Sequence, residues 1–222
     1  MGFLPDHDKE HLRKLFGEKL KDEVRILVFT QETECEFCKE TRGIVEEVAT
    51  TSDKIKVEVY DFVKDEEKVK EYQIKRIPAI AIIGKKDYGI RFYGVPSGYE
   101  FVSLVDDIVD VSSGTTNLSE DTKNRLKSVN EPVHIQVFVL PTCPYCPKAI
   151  RLAHQFAIEN DLIKADMVEA TEFPQLAQKY NVMSVPKTII NETVDFVGAL
   201  PEEQFVEHVL LGMRKPPSTM YS

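Results

Sequence analysis

Two short apolar runs, Val24–Phe29 and Val133–Val139, anchor the hydrophobic pattern of the chain. Both are rich in β-branched residues and bounded by polar ones, as expected of strands buried on both faces. After the first run come Ile44, Val45, Val48 and Ala49; after the second come Leu152, Ala153, Phe156 and Ala157. In each set the spacing is one, three and one, which lines a single face of a helix. Val57–Phe62 and Ala165–Ala170 then predict a second strand in each half. Amphipathic helices close both halves, carried by Phe101, Val102 and Val105 and by Phe205, Val206 and Val209. Helices are also predicted ahead of the first strands, over Asp6–Leu20 and Ser119–Val129, with Asp6 and Ser119 as N-caps.

The halves are copies. With an offset of 108, the helix faces and second strands align, as do Tyr72-Gln73-Ile74 with Tyr180-Asn181-Val182 and Ile77-Pro78 with Val185-Pro186. Beyond the prolines the offset falls to 104, so that Phe92 and Gly94 match Phe196 and Gly198. The first copy therefore carries four extra residues in a hairpin. The order per copy is α-β-α-β-α-β-β-α. Its βαβ half is expected to be parallel and right-handed, its hairpin half antiparallel. The fold class is α/β: two tandem units, each a mixed four-stranded sheet flanked by helices. The polar run Ser112–Asn117 divides the chain into residues 1–116 and 117–222. So short a connection makes the units pack together. The segment Arg214–Ser222 lacks periodicity and is expected to be disordered.

All four cysteines fall into two CxxC motifs, Cys35-Glu36-Phe37-Cys38 and Cys143-Pro144-Tyr145-Cys146, 108 residues apart and each followed by a proline 43 residues on. A CxxC between a strand and a helix is a redox motif. The first cysteine is expected at a helix N-terminus, where unpaired N–H groups and the dipole favour a thiolate. The second, one turn in, reaches back to resolve a mixed disulfide. Cys35 and Cys143 are thus the nucleophiles, Cys38 and Cys146 the resolving thiols. Zinc ribbons also use two CxxC pairs, but about 15–20 residues apart, and no metal is expected here.

The formal net charge of −9 argues against nucleic-acid or membrane-surface binding, and no apolar run is long enough to span a bilayer. A charged N-terminal stretch and the absence of scattered cysteines point to the cytoplasm. High charge with only 13 Asn and Gln fits a thermophile.

On the strand–CxxC–helix pattern and the later proline, each unit resembles a thioredoxin fold, and Cys143-Pro144-Tyr145-Cys146 is similar to a glutaredoxin site. The whole chain resembles the protein disulfide oxidoreductases of thermophiles, relatives in function of protein disulfide isomerase. That resemblance implies oxidation, reduction and isomerisation of protein disulfides without a cofactor. It also implies cis bonds at Pro78 and Pro186, with Ile77 and Val185 beside the cysteines to hold a substrate strand through main-chain hydrogen bonds. Thioredoxins carry a buried acid six residues before the nucleophile; here those positions are Phe29 and Val137. Asp61 and Glu169, at the ends of the second strands, are the candidate proton acceptors instead. The Gly-Gly pair by which glutaredoxins hold glutathione has no counterpart after Pro186. Expected partners are thiol- or disulfide-bearing proteins, together with a thioredoxin reductase-like flavoprotein and a peroxiredoxin. Two other functions fit: a shuttle passing electrons from a flavin-dependent reductase to a peroxidase, and a non-catalytic holdase-like binding module.

Overall fold

A computed structural model describes residues 2–213, so the segment Arg214–Ser222 lies outside the described residues. The first unit runs α1 (Asp6–Lys19), β1 (Val24–Thr30), α2 (Cys38–Ala49), β2 (Ile55–Asp61), α3 (Glu66–Glu71), β3 (Ala79–Ile83), β4 (Asp87–Tyr93) and α4 (Glu100–Ser113). The second repeats it as α5 (Glu120–Leu126), β5 (Val133–Val139), α6 (Cys146–Glu159), β6 (Ile163–Glu169), α7 (Pro174–Lys179), β7 (Lys187–Ile190), β8 (Val194–Val197) and α8 (Glu202–Met213). The expected element order is met in both. Ser119 caps α5 through its hydroxyl, which accepts from the Thr122 N–H at 3.2 Å. Asp6 does not cap α1: Pro5 holds that position with an extended ψ of 149°, and Asp6 is the first helical residue. A proline needs no partner for its missing N–H, and the acid still meets the positive end of the dipole.

The eight strands form one sheet in the order β2-β1-β3-β4-β6-β5-β7-β8. Within each unit the outer strand pairs parallel with the first strand (β1–β2, β5–β6), and the rest is antiparallel. The units join through parallel pairing of β4 with β6, from Ile90 opposite Ala165 to Tyr93 opposite Val168. The four extra residues explain this seam. The hairpin turns are equally long, residues 84–86 and 191–193, whereas β3 and β4 are longer than β7 and β8. The insertion thus lengthens β4 into a strand that can pair on both edges. β8 stays short and alternates half-buried with exposed positions, as an edge strand should.

Alternation along the strands divides the core. Ile26 and Val28 point into the larger cluster under α1, α2, α4, α6 and α8. Leu27 and Phe29 point to the other face, against residues flanking α3 and α7. Across the seam α4 and α6 lie side by side and parallel. The Tyr99 N–H donates to Pro141 O (3.1 Å) at one end, and the Thr116 N–H donates to Glu159 (3.2 Å) at the other. Between them the buried Asp107 takes His154 Nδ1 (2.5 Å) and Arg151, and Asp110 takes Arg151 (2.5 Å) and Gln155 (2.9 Å). No described helix is long and apolar enough to cross a membrane.

Candidate active site

Both CxxC pairs are joined as disulfides, with Cα atoms 5.5 Å apart in each. Helices α2 and α6 begin at the second cysteines, not the first. Cys35 and Cys143 lie in the turn before the helix. Glu34 at φ 60° bends the chain into the first turn, and the first helical bond runs from the Thr41 N–H to Phe37 O. In the second, the Cys146 N–H donates to Cys143 O (3.3 Å), and Pro147 occupies a position where its missing N–H costs nothing. The first cysteine still faces the N-terminal end of each helix. Cys38 and Cys146 are buried at 3% and 0% exposure, while Cys143 keeps 8% and Cys35 is half-buried. In each pair the first cysteine is the more exposed of the two.

Both Ile77–Pro78 and Val185–Pro186 are cis. Ile77 and Pro78 line a cleft of about 350 Å³ with Cys35 and Phe37, and its far wall, Thr171, Glu172, Pro174 and Gln175, belongs to the second unit. Cys35 and Cys38 also open onto a cleft of about 620 Å³ within the first unit, lined by Asp61, Lys39 and Arg42 among others. In the second unit Val185 lines an apolar groove of about 640 Å³ with Leu140, Ala170, Val182 and Met183. Met183 is 92% exposed, and Tyr145 of the second motif is 70% exposed. The two cis-proline loops therefore offer different surroundings: a cleft with Glu34, Glu36 and Glu172, shared between units, at Ile77, and an apolar groove within the second unit at Val185.

The two candidate proton acceptors differ in state. Asp61 accepts from the Lys64 N–H (2.8 Å) and the Val63 N–H (3.0 Å), which hold its carboxyl below the usual range. Both bonds fall on Oδ1, while Oδ2 has only the Lys64 ammonium at 3.7 Å, and Asp61 lines the same cleft as Cys38. Glu169 is buried in the seam; one oxygen accepts from Thr171 Oγ1 (2.7 Å) and the Glu172 N–H (2.6 Å), and the other has no partner.

Two further carboxyls stand near Glu169. Glu100, at the first turn of α4, is fully buried with both oxygens unpartnered. The parallel register of α4 and α6 sets it next to the Tyr99–Pro141 hydrogen bond, on the segment that leads into the second CxxC. Burial pushes it up to about 8, with Glu169 adding repulsion. Glu172 is pushed up to about 7, again mainly by burial. The sequence held a sign of Glu100: with Leu104, Asp107, Ile108 and Val111 it falls on the apolar stripe of its helix, where an exposed acid would not sit. Glu172 carries no such sign. It lies in a loop, its repeat counterpart is Lys64, and only the joined sheet brings it to Cys35.

A parallel βαβ half, an antiparallel hairpin, a CxxC at the helix start and a cis-proline beside it define a thiol–disulfide protein of thioredoxin type. The chain belongs to the thioredoxin-domain family, whose sequence pattern matches twice, over residues 23–106 and 133–211. Among curated relatives, a thioredoxin of Methanocaldococcus jannaschii is 38% identical over 78 residues, 35% of this chain and 92% of that protein. Among solved structures, a protein disulfide oxidoreductase from Aeropyrum pernix K1 superposes with a TM-score of 0.87 at 35% identity, covering 94% of this chain and 93% of that one. The alkylhydroperoxide reductase component AhpF of Enterococcus faecalis, a C503A mutant, gives 0.86 at 27% identity, covering 93% and 99%. The chain spans less than a third of the length of the NADH dehydrogenases and alkyl hydroperoxide reductase components that it matches among curated proteins.

Proposed function

We propose that this chain is a protein dithiol–disulfide oxidoreductase in which each unit, taken as residues 1–116 and 117–222, carries one exchange centre. The carrying observation is the duplicated constellation: an outer and an inner cysteine at a helix start, beside a cis-proline loop. The likeness over nearly the full length to the Aeropyrum pernix oxidoreductase supports the same reading. Cys35 or Cys143 attacks a substrate disulfide as the thiolate and forms a mixed disulfide. Cys38 or Cys146 then attacks the outer sulfur and releases the substrate thiol. Ile77 with Pro78, and Val185 with Pro186, present main chain to an extended substrate segment, which suits many protein substrates because it asks for little sequence. The electrons reside on sulfur, so exchange itself calls for no cofactor.

A second reading is favoured by the likeness to the alkylhydroperoxide reductase component AhpF: a shuttle between a flavoprotein reductase and a peroxidase. Refolding of a reduced, disulfide-containing protein, with each CxxC changed to SxxS in turn, separates the readings. An oxidoreductase–isomerase raises the yield of correctly paired product and loses that effect with both pairs removed. A shuttle reduces disulfides without repairing wrong pairings. A holdase acts unchanged with no cysteine left, and that outcome would overturn the proposal.

A further inference from the structure

Resting on the exchange reading above, we propose that Glu172 of the second unit is the proton-transfer group for substrate sulfur at the first unit's Cys35. Glu172 lines the cleft that holds Cys35, Ile77 and Pro78. Its place is built. Oε1 accepts from the Val95 N–H at 2.6 Å, while Oε2 is buried without a partner. Its own N–H is held by Glu169 at 2.6 Å. Gly94 makes the room: at φ 101°, a Cβ there would lie 2.6 Å from the Glu169 Cβ and 2.9 Å from Glu172 Oε1. Within the first unit the strand position used by thioredoxins is Phe29, and Asp61, which lines the separate cleft of Cys35 and Cys38, has its Oδ1 held by a turn.

The groups around Glu172 are mostly acidic. Glu169 faces it from β6, and Glu36 and Glu40 from the CxxC turn and α2. Glu34 lines the same cleft. Arg76, from the loop before Pro78, lies over the rings of Tyr93 (4.7 Å) and Phe173 (5.7 Å). Burial and these acids keep the carboxyl protonated up to about pH 7, so it can give or take a proton there.

In the reducing direction the Cys35 thiolate attacks R–S–S–R′. The Cys35–S–R bond forms, the substrate S–S bond breaks, and R′–S⁻ leaves with the electron pair. Glu172 protonates it to R′–SH and becomes a carboxylate. Cys38 then displaces R–S⁻, so the two electrons come from the Cys35–Cys38 dithiol. In the oxidising direction the carboxylate takes the proton from an incoming substrate thiol as that thiol attacks the Cys35–Cys38 disulfide. The two directions thus need opposite states of one group. Its contribution to reduction fades as pH rises through about 7, and its contribution to oxidation grows.

The test uses the full chain with Cys143 and Cys146 both changed to Ser, so that only the first pair reports. Rates of reduction of a disulfide peptide and of oxidation of a dithiol peptide are followed from pH 5.5 to 8.5, with Glu172 and with E172Q. The amide keeps the Val95 hydrogen bond but cannot carry a proton between states. The expected result is loss of the ionisation near pH 7 in E172Q and about a 10-fold slower reduction at pH 6, below the ~100-fold usual minimum for acid–base catalysis because a thiolate leaves readily without a proton. E172D, still a carboxylic acid, restores the ionisation in part. Superimposable profiles for Glu172 and E172Q overturn the proposal. So does an equal change at the second pair, measured in a background with Cys35 and Cys38 changed to Ser, since that marks a structural role. If the first pair with Glu172 intact exchanges no disulfide at any pH, the exchange reading fails and this one falls with it.

Discussion

Cys143 sits between Thr142, Pro144 and Tyr145 with Lys148 on the next turn, whereas Glu32, Glu34, Glu36 and Glu40 all lie within five residues of Cys35. Negative charge destabilises a thiolate and a helix N-terminus stabilises one, so Cys143 is expected to hold the more stable thiolate of the two. The four glutamates are exposed, and salt weakens their effect. Glu100 does not reverse the order near neutrality, because its raised pKa leaves it uncharged there. A stabilised thiolate stabilises the dithiol, which makes Cys143–Cys146 the stronger oxidant, each ~30 mV corresponding to about 1.4 kcal/mol. Alkylation rates against pH and separate redox titrations check this; a more negative potential for the second pair contradicts it. Glu100 also leaves its mark on stability. A carboxyl held at about 8 in the fold, against an ordinary 4.5, binds its proton more tightly folded than unfolded. The native state therefore loses stability as pH rises from the unfolded value through about 8. E100Q removes that loss. It is expected to match the parent near pH 4.5 and to exceed it by about 2–3 kcal/mol at pH 8, discounting the full linkage for relaxation. Denaturant melts at the two pH values measure the gap; equal stability at pH 8 counts against the burial of a carboxyl there.

At the scale of elements, the same position serves two ends in the two copies. Gly94 and Gly198 follow the last strand of their units with φ near 100°, where side chains are strained. Around Gly198 a Cβ meets nothing within 4 Å, but at Gly94 it meets the side chains of Glu169 and Glu172. G198A pays only the backbone strain, of order 1–3 kcal/mol. G94A adds overpacking and is expected to cost about 2 kcal/mol more, and to slow exchange at the first pair as Glu172 shifts. Equal melting shifts for the two variants would show that the seam yields freely. Helix and strand identities were legible because each run had a single period and the two copies checked each other. Boundaries were less so. The second strands begin and end a residue or two earlier than expected, at Ile55–Asp61 and Ile163–Glu169, and α5 stops at Leu126 rather than Val129. The residues after Leu126 turn back on it through the Val129 N–H and Leu126 O instead of continuing the helix.

Across the whole molecule, the feature least legible in the sequence was the joining of two four-stranded sheets into one. Parallel pairing of β4 with β6 depends on contacts between residues about 75 apart, which no local period records. The four-residue offset was visible, but not that it lengthened a strand rather than a turn. The same seam places the half-buried Glu172 in the cleft of Cys35 and buries Glu100 where α4 starts beside Pro141, so the surroundings of both acids depend on the other unit. That is why a search for acids within one unit stopped at Asp61 and Glu169. Asp107, fully buried between Arg151 and His154, locks the arrangement; leaving such a pair half-made costs about 3–5 kcal/mol. The cysteines and cis-prolines, by contrast, were readable from spacing and resemblance alone. The central claim is that Cys35 and Cys143 attack protein substrates and that Cys38 and Cys146 release them. Trapping tests it most directly: C38S and C146S, each incubated with a disulfide-containing protein, are digested without reductant and mapped by mass spectrometry. The expected result is a persistent mixed disulfide at Cys35 in the first variant and at Cys143 in the second, with none in C35S or C143S. Adducts that instead accumulate on Cys38 and Cys146, or that fail to form at all, would contradict the account.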